Sequence, residues 1–155
     1  MKEITGNIWD FHEQGKWIVI PTNGSVNSGS EAIMGAGIAL QAKQRYPMLP
    51  SALGQAIRAQ GRSSLVHISS EGLILLPTKN DWWEDSSLEL IEQGLKELIA
   101  LLDLIREYPT PIYLSRLGCG NGNLKWEDVK PLLEGYLDDR FVVIDRNKSS
   151  HCVAA

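Results

Sequence analysis

Short apolar runs alternating with stretches of helical period constrain the fold of this 155-residue chain more than any other feature. Within Lys16 to Pro21, the four residues Trp17-Ile18-Val19-Ile20 are apolar in succession, the pattern of a strand covered on both faces. Ile4 to Ile8 reads as another short strand, and both are expected to be central in the sheet. Leu65 to Ile68 and Leu73 to Leu76 flank Glu71-Gly72 as a hairpin or as neighbouring strands, and Ile112 to Leu114 and Phe141 to Ile144 complete the set. Between them lie helices at Ile38 to Tyr46, stopped by Pro47 and Pro50, and at Ser51 to Gln60, ended by Gly61. A longer helix starts at the capping-box sequence Ser86-Ser87-Leu88-Glu89. It carries Leu88, Ile91, Leu95, Leu98, Leu102 and Ile105 at helical spacing and runs to about Tyr108. The last helix covers Trp126 to Leu137, with Pro131 in its first turn or at a kink. This order predicts a three-layer α/β/α sandwich around a mixed, mostly parallel sheet, with ligands at the carboxyl ends of the strands.

Composition narrows the class. Hydrophobic residues make up 43% and charged residues 22%, which is ordinary for one globular domain, expected over residues 1 to 146. Asn147 to Ala155 carries no pattern and reads as a flexible tail. Met1-Lys2-Glu3-Ile4-Thr5 has no apolar signal-like run and no stretch has membrane-spanning length, so a cytoplasmic monomer without a membrane partner is expected. Cys119 and Cys152 lack redox or metal-knuckle spacing, and His12, His67 and His151 lack ligand spacing, so neither a metal nor a cofactor is expected. A formal net charge of -4 gives no general attraction to polyanions and leaves nucleic acid a local site at most.

Two glycine-rich turns each follow a strand and precede a helix: Thr22-Asn23-Gly24 through Met34-Gly35-Ala36-Gly37-Ile38, and Arg116-Leu117-Gly118-Cys119-Gly120-Asn121-Gly122-Asn123-Leu124. Backbone amides in such turns, with the positive end of a helix dipole behind them, cradle phosphate oxygens, and two such turns imply a diphosphate clamp. Taken alone, Gly35-Ala36-Gly37 lacks the third glycine of a dinucleotide fingerprint and is equally served by close helix packing. The alternating glycines at 118, 120 and 122 exceed what one tight turn needs and favour a ligand. Lys79, just past a strand end, fits either a phosphate point charge or an amine nucleophile. Trp82-Trp83 is read as core or loop packing in preference to a base-stacking lid, Cys119 as a small buried residue, and Glu84 and Asp85 as acids supporting the next helix N-terminus.

Thr5-Gly6-Asn7-Ile8, Asn23, Met34-Gly35-Ala36-Gly37-Ile38-Ala39-Leu40-Gln41, Leu76-Pro77-Thr78-Lys79 and Arg116 to Leu124 with Trp126, in this order, resemble a macrodomain, the ADP-ribose-binding α/β/α module. The resemblance spans Ile4 to Ile144. It is strongest to the branch of the terminal ADP-ribose protein glycohydrolase and of the DNA-directed antitoxin DarG. It implies that Asn7 and Ile8 hold the adenine edge, Asn23 the distal ribose, and Gly35, Ala36, Gly37 and Ile38 the phosphates. Leu117, Gly118, Cys119, Gly120, Asn121, Gly122 and Asn123 would contact the phosphates and the distal ribose. Lys79 is implied as the catalytic residue, at the anomeric carbon of that ribose. Two positions depart from the pattern. Asn7 stands where the family commonly has aspartate, and Gly122 stands where the protein-directed enzyme has an aspartate paired with its lysine.

The implied function is an ADP-ribosyl hydrolase that cleaves the glycosidic link to a nucleobase in DNA or to a carboxylate side chain, its partner ADP-ribose or an ADP-ribosylated macromolecule, with a toxin as a further partner. The alternatives are a non-catalytic ADP-ribose reader and an ADP-ribose-1″-phosphate phosphatase.

Overall fold

The computed structural model describes residues 1–146; the segment read as a tail, 147–155, lies outside the described residues, as do His151 and Cys152. Six strands form one sheet: β1 (Lys2–Gly6), β2 (Ile18–Asn23), β3 (Val66–Ile68), β4 (Leu73–Lys79), β5 (Ile112–Ser115) and β6 (Phe141–Arg146). Their order is β1-β6-β5-β2-β4-β3. Every pairing is parallel except β3 with β4, where Val66 faces Leu75 and Ile68 faces Leu73. The expected hairpin and the mixed, mostly parallel sheet are therefore present.

Continuous apolar runs fill both faces because successive side chains point to opposite sides of a strand. Ile18 and Ile20 of β2, Leu73 and Leu75 of β4, and Val142 and Ile144 of β6 face one core. Helices α1 (Ile8–Glu13), α2 (Gly37–Arg45) and α3 (Leu49–Gln60) supply Ile8, Trp9, Ala42, Leu49 and Leu53 to that core. Val19, Ile74, Leu76, Phe141 and Val143 point the other way, onto Ile91, Leu95, Leu98 and Leu102 of α4 (Leu88–Ile105) and Val129 and Leu133 of α5 (Trp126–Glu134). The result is the three-layer α/β/α sandwich.

Five expectations need correction. The strand read over Ile4 to Ile8 ends at Gly6, because Asn7 caps a helix: its Oδ1 accepts from Trp9 N at 3.0 Å, and Ile8 opens α1. That strand is also an edge strand with a largely exposed face, paired only to β6. Helix α4 is capped by Ser87, whose Oγ accepts from Leu90 N at 3.3 Å, not by Ser86. It stops at Ile105 because Arg106 turns to a φ of 64°, and α5 likewise ends at Glu134, short of Leu137. Removing the cap, Ser87→Ala, is expected to cost about 1 kcal/mol. Melting should then move down by about 2–4 °C for a domain of this size; an unchanged melting temperature would show that the cap contributes nothing.

Candidate functional site

Because β1, β6, β5, β2 and β4 run parallel, their carboxyl ends share one edge of the sheet. Asn7 follows β1, Asn23 ends β2, Lys79 ends β4 and the second glycine loop leaves β5. From β1 to β4 there are four strand spacings, roughly 19 Å along the crest. That is room for an extended ligand with different chemistry at its two ends.

The first loop, between β2 and α2, is organised by Asn23. Its Nδ2 donates to Ile33 O at 3.0 Å and its Oδ1 accepts from Ser25 N at 2.9 Å. One amide N–H and one oxygen lone pair remain for a ligand. Within the loop Val26 bridges Ala32, and Ala32 N donates to Pro50 O at 2.9 Å, which moors the loop to α3. Gly54 of α3 is part of the mooring, since a Cβ there would collide with the carbonyl of Ser30. Gly35, Ala36 and Gly37 come out exposed, and no side chain caps the first turn of α2. The amides of that turn therefore open outward with the positive end of the helix dipole, the arrangement that binds anionic oxygens.

The second loop is folded on itself. Gly118 has a φ of 75° and its carbonyl accepts from Leu124 N at 2.9 Å, while Asn123 N donates to Gly120 O at 3.2 Å. Leu117 is fully buried in the core against α4 and α5, and Gly118 and Gly122 are buried beneath the loop surface. Gly120, Asn121 and Asn123 are exposed. Cys119 is half-buried, with its thiol 3.6 Å from Leu117 O; burial pushes the thiol pKa up, opposite to what a nucleophilic cysteine needs.

The two loops touch. Gly37 has a φ of 57°, and a Cβ on it would lie 3.2 Å from Asn121 Nδ2. Lys79 joins them from the third side, its Nζ donating to Asn121 O at 3.3 Å and to Trp82 O at 3.4 Å. Its strand position pairs with Asn23, and Gly24 N donates back to Lys79 O at 3.2 Å. Asn23, Gly35 to Ile38, Lys79 and Gly120 to Asn123 thus gather at one place. Asn7 and Ile8 lie further along the crest, with Asn7 exposed and Ile8 buried.

The segment after β4 departs from expectation. Trp82 and Trp83, read as packing residues, are 58% and 67% exposed. The acids read as supports of α4 serve the loops instead: Glu84 Oε1 accepts from Asp81 N at 2.8 Å, and Asp85 Oδ1 accepts from Asn123 Nδ2 at 2.8 Å. Ser86, read in the sequence only as the opening of a capping box, is buried and stitches the site together. Its N donates to Gly122 O at 2.9 Å and its Oγ to Thr78 Oγ1 at 3.1 Å. A lone serine beside a cap-like repeat carries no sequence signal for that role.

No family model matches the chain. It is similar to a DNA ADP-ribosyl glycohydrolase of Thermus aquaticus, with 31% identity over 134 residues, 81% of this chain and 37% of that protein. The chain thus spans little more than a third of the length of this curated relative. Among solved structures, the macrodomain of Mycobacterium tuberculosis DarG superposes with a TM-score of 0.69 at 28% identity, covering 85% of this chain and 90% of that one. The Thermosipho africanus DarTG in complex with ADP-ribose superposes with a TM-score of 0.70 at 21% identity, covering 86% of this chain and 38% of that one, and speaks for the fold alone.

Proposed function

We propose that this chain, a member of the macrodomain family similar to the DarG macrodomains, binds the ADP-ribosyl group of modified DNA and hydrolyses the glycosidic bond joining it to a nucleobase. The observation that carries the reading is the meeting of three separate segments: the first turn of α2 at Gly37, the second loop at Asn121, and the Lys79 amine bonded to that loop. The diphosphate lies between the outward amides of Gly35 to Ile38 and the exposed Gly120-Asn121 turn. Adenine extends toward Asn7 and Ile8, and the distal ribose toward Asn23 and Lys79. Leu117, Gly118 and Gly122, being buried, serve by shaping the loop.

The chemistry follows from the amine at the ribose end. As the bond from C1″ to the base breaks, its electron pair leaves with the base, which takes up a proton released from Lys79 Nζ, and positive charge builds on C1″. The Lys79 amine donates its lone pair to that carbon, and water then displaces the lysine. Water is added across the glycosidic bond, leaving free ADP-ribose and the unmodified base. With a net charge of -4, affinity comes from the ADP-ribosyl group and not from tracking the DNA backbone, so modified DNA is preferred over unmodified. A DNA-modifying toxin, the partner implied by the resemblance, would supply such a substrate. Incubation with an ADP-ribosylated oligonucleotide should release ADP-ribose and restore the unmodified base, read by mass spectrometry; an unchanged oligonucleotide would overturn the assignment.

Gly120 separates binding from folding. A Cβ there meets nothing within 4 Å, and the proposal gives that open space to the diphosphate. Gly120→Trp should therefore melt within about 2 °C of wild type, since surface changes away from packing are worth only tenths of a kcal/mol. ADP-ribose binding by calorimetry should nevertheless be lost, and retained affinity would move the ligand elsewhere.

A further inference from the structure

We propose that Trp82 and Trp83 form a stacking platform for the nucleobase on the far side of the scissile bond. The inference deepens the function proposed above and rests on it for the position of the ribose. Two adjacent indoles left 58% and 67% exposed are costly in water, and here they stand three and four residues beyond Lys79. The loop that carries them is not loosely held. Trp82 N donates to Ser25 Oγ at 3.0 Å, Asp81 Oδ1 accepts from Arg62 Nη2 at 2.6 Å, and Glu84 N donates to Asp81 O at 3.1 Å. Arg62 also bonds Asn80 O, and Lys79 Nζ donates to Trp82 O at 3.4 Å. The polar groups of the segment are thus satisfied inward, on the first loop and on the amine itself, while the apolar rings face outward.

Position and charge identify the occupant. The leaving group departs from the carbon beside Lys79, so a platform one turn further on meets whatever is attached there. Asp81, Glu84 and Asp85 flank the two indoles in the sequence, with Asp81 paired to Arg62, so the segment opposes acidic peptides while the neutral ring faces stay open to a base. Indoles stack on any base, and a base within a duplex has no free face to offer.

The test uses Lys79→Ala as background, so that binding is read without turnover. An ADP-ribosylated single-stranded oligonucleotide should bind about 10- to 100-fold more tightly than free ADP-ribose, the range of one or two stacked bases. Adding Trp82→Ala and Trp83→Ala should erase that difference while leaving the ADP-ribose affinity unchanged, and Trp82→Phe with Trp83→Phe should keep most of it. The advantage should change less than about twofold between 50 and 200 mM salt, whereas neutralising six or more phosphates would cost about a thousandfold. The platform is refuted by an advantage that survives the double alanine variant, by its absence in the parent, by an equal advantage for an ADP-ribosylated glutamate peptide, or by a parallel loss of ADP-ribose binding. Failure of the function itself reads differently, in the wild-type chain: it would bind no free ADP-ribose or would leave the modified oligonucleotide unchanged, whatever the indoles do.

Discussion

Lys79→Ala is expected to slow release of ADP-ribose from modified DNA by about a thousandfold or more, while ADP-ribose binds with wild-type affinity. The size of the effect follows from the role: removing a nucleophile takes away the covalent route and leaves only binding and electrostatics to assist water. The small effect on binding follows from geometry. The amine makes two long hydrogen bonds, to Asn121 O and Trp82 O, both exposed, so the fold loses little with it. Lys79→Arg discriminates further. Arginine keeps the positive charge but cannot attack carbon, so it should be as slow as alanine if Lys79 is the nucleophile. Recovery of a large part of the rate by arginine would make the side chain an electrostatic stabiliser, and wild-type rates in both variants would remove Lys79 from the chemistry.

Much of this architecture is legible in the residues themselves, and the boundary has physical reasons. The strands of the sheet interior announce themselves because burial on two faces leaves no polar position, as in Ile18 to Ile20 and Leu73 to Leu76. Helix α1 is hidden because six residues hold too few turns to show a period, and because Ile8 and Trp9 continue the apolar character of β1. What decides it is one side chain, Asn7, turned back onto Trp9 N. The glycine loops were visible as loops, and their meeting at Gly37 and Asn121 follows from the parallel sheet placing both at one edge. The mooring was not visible: Ser25, Arg62, Gly54 and Ser86 act through contacts between segments distant in sequence, and each residue type is commonplace on a surface. Trp82 and Trp83 mislead for the opposite reason, since an indole is ordinarily packing material and here it is left in solvent beside the amine.

Gly122→Asp is expected to disrupt the site instead of endowing it with an acid partner for Lys79. A Cβ at 122 would overlap Ser86 Oγ and sit 2.5 Å from Gly118 O and 2.7 Å from Ser86 Cβ. Ser86 cannot retreat, because it is buried, its N holds Gly122 O and its Oγ holds Thr78. A carboxylate forced into that space adds the cost of desolvating a charge to the overlap. The cost should be about 3 kcal/mol or more, which lowers the melting temperature by roughly 6–12 °C. ADP-ribose binding should be lost with it, since the loop must shift to admit the side chain. Gly122→Ala carries the overlap without the charge and should fall between the two, while Gly120→Ala, open to solvent two residues away, should be neutral. A Gly122→Asp protein that melts like wild type and hydrolyses glutamate-linked ADP-ribose would show that the acid fits after all. The expected collapse makes the glycine a requirement of this loop, set by the serine beneath it, and leaves the lysine to work without a carboxylate at that position.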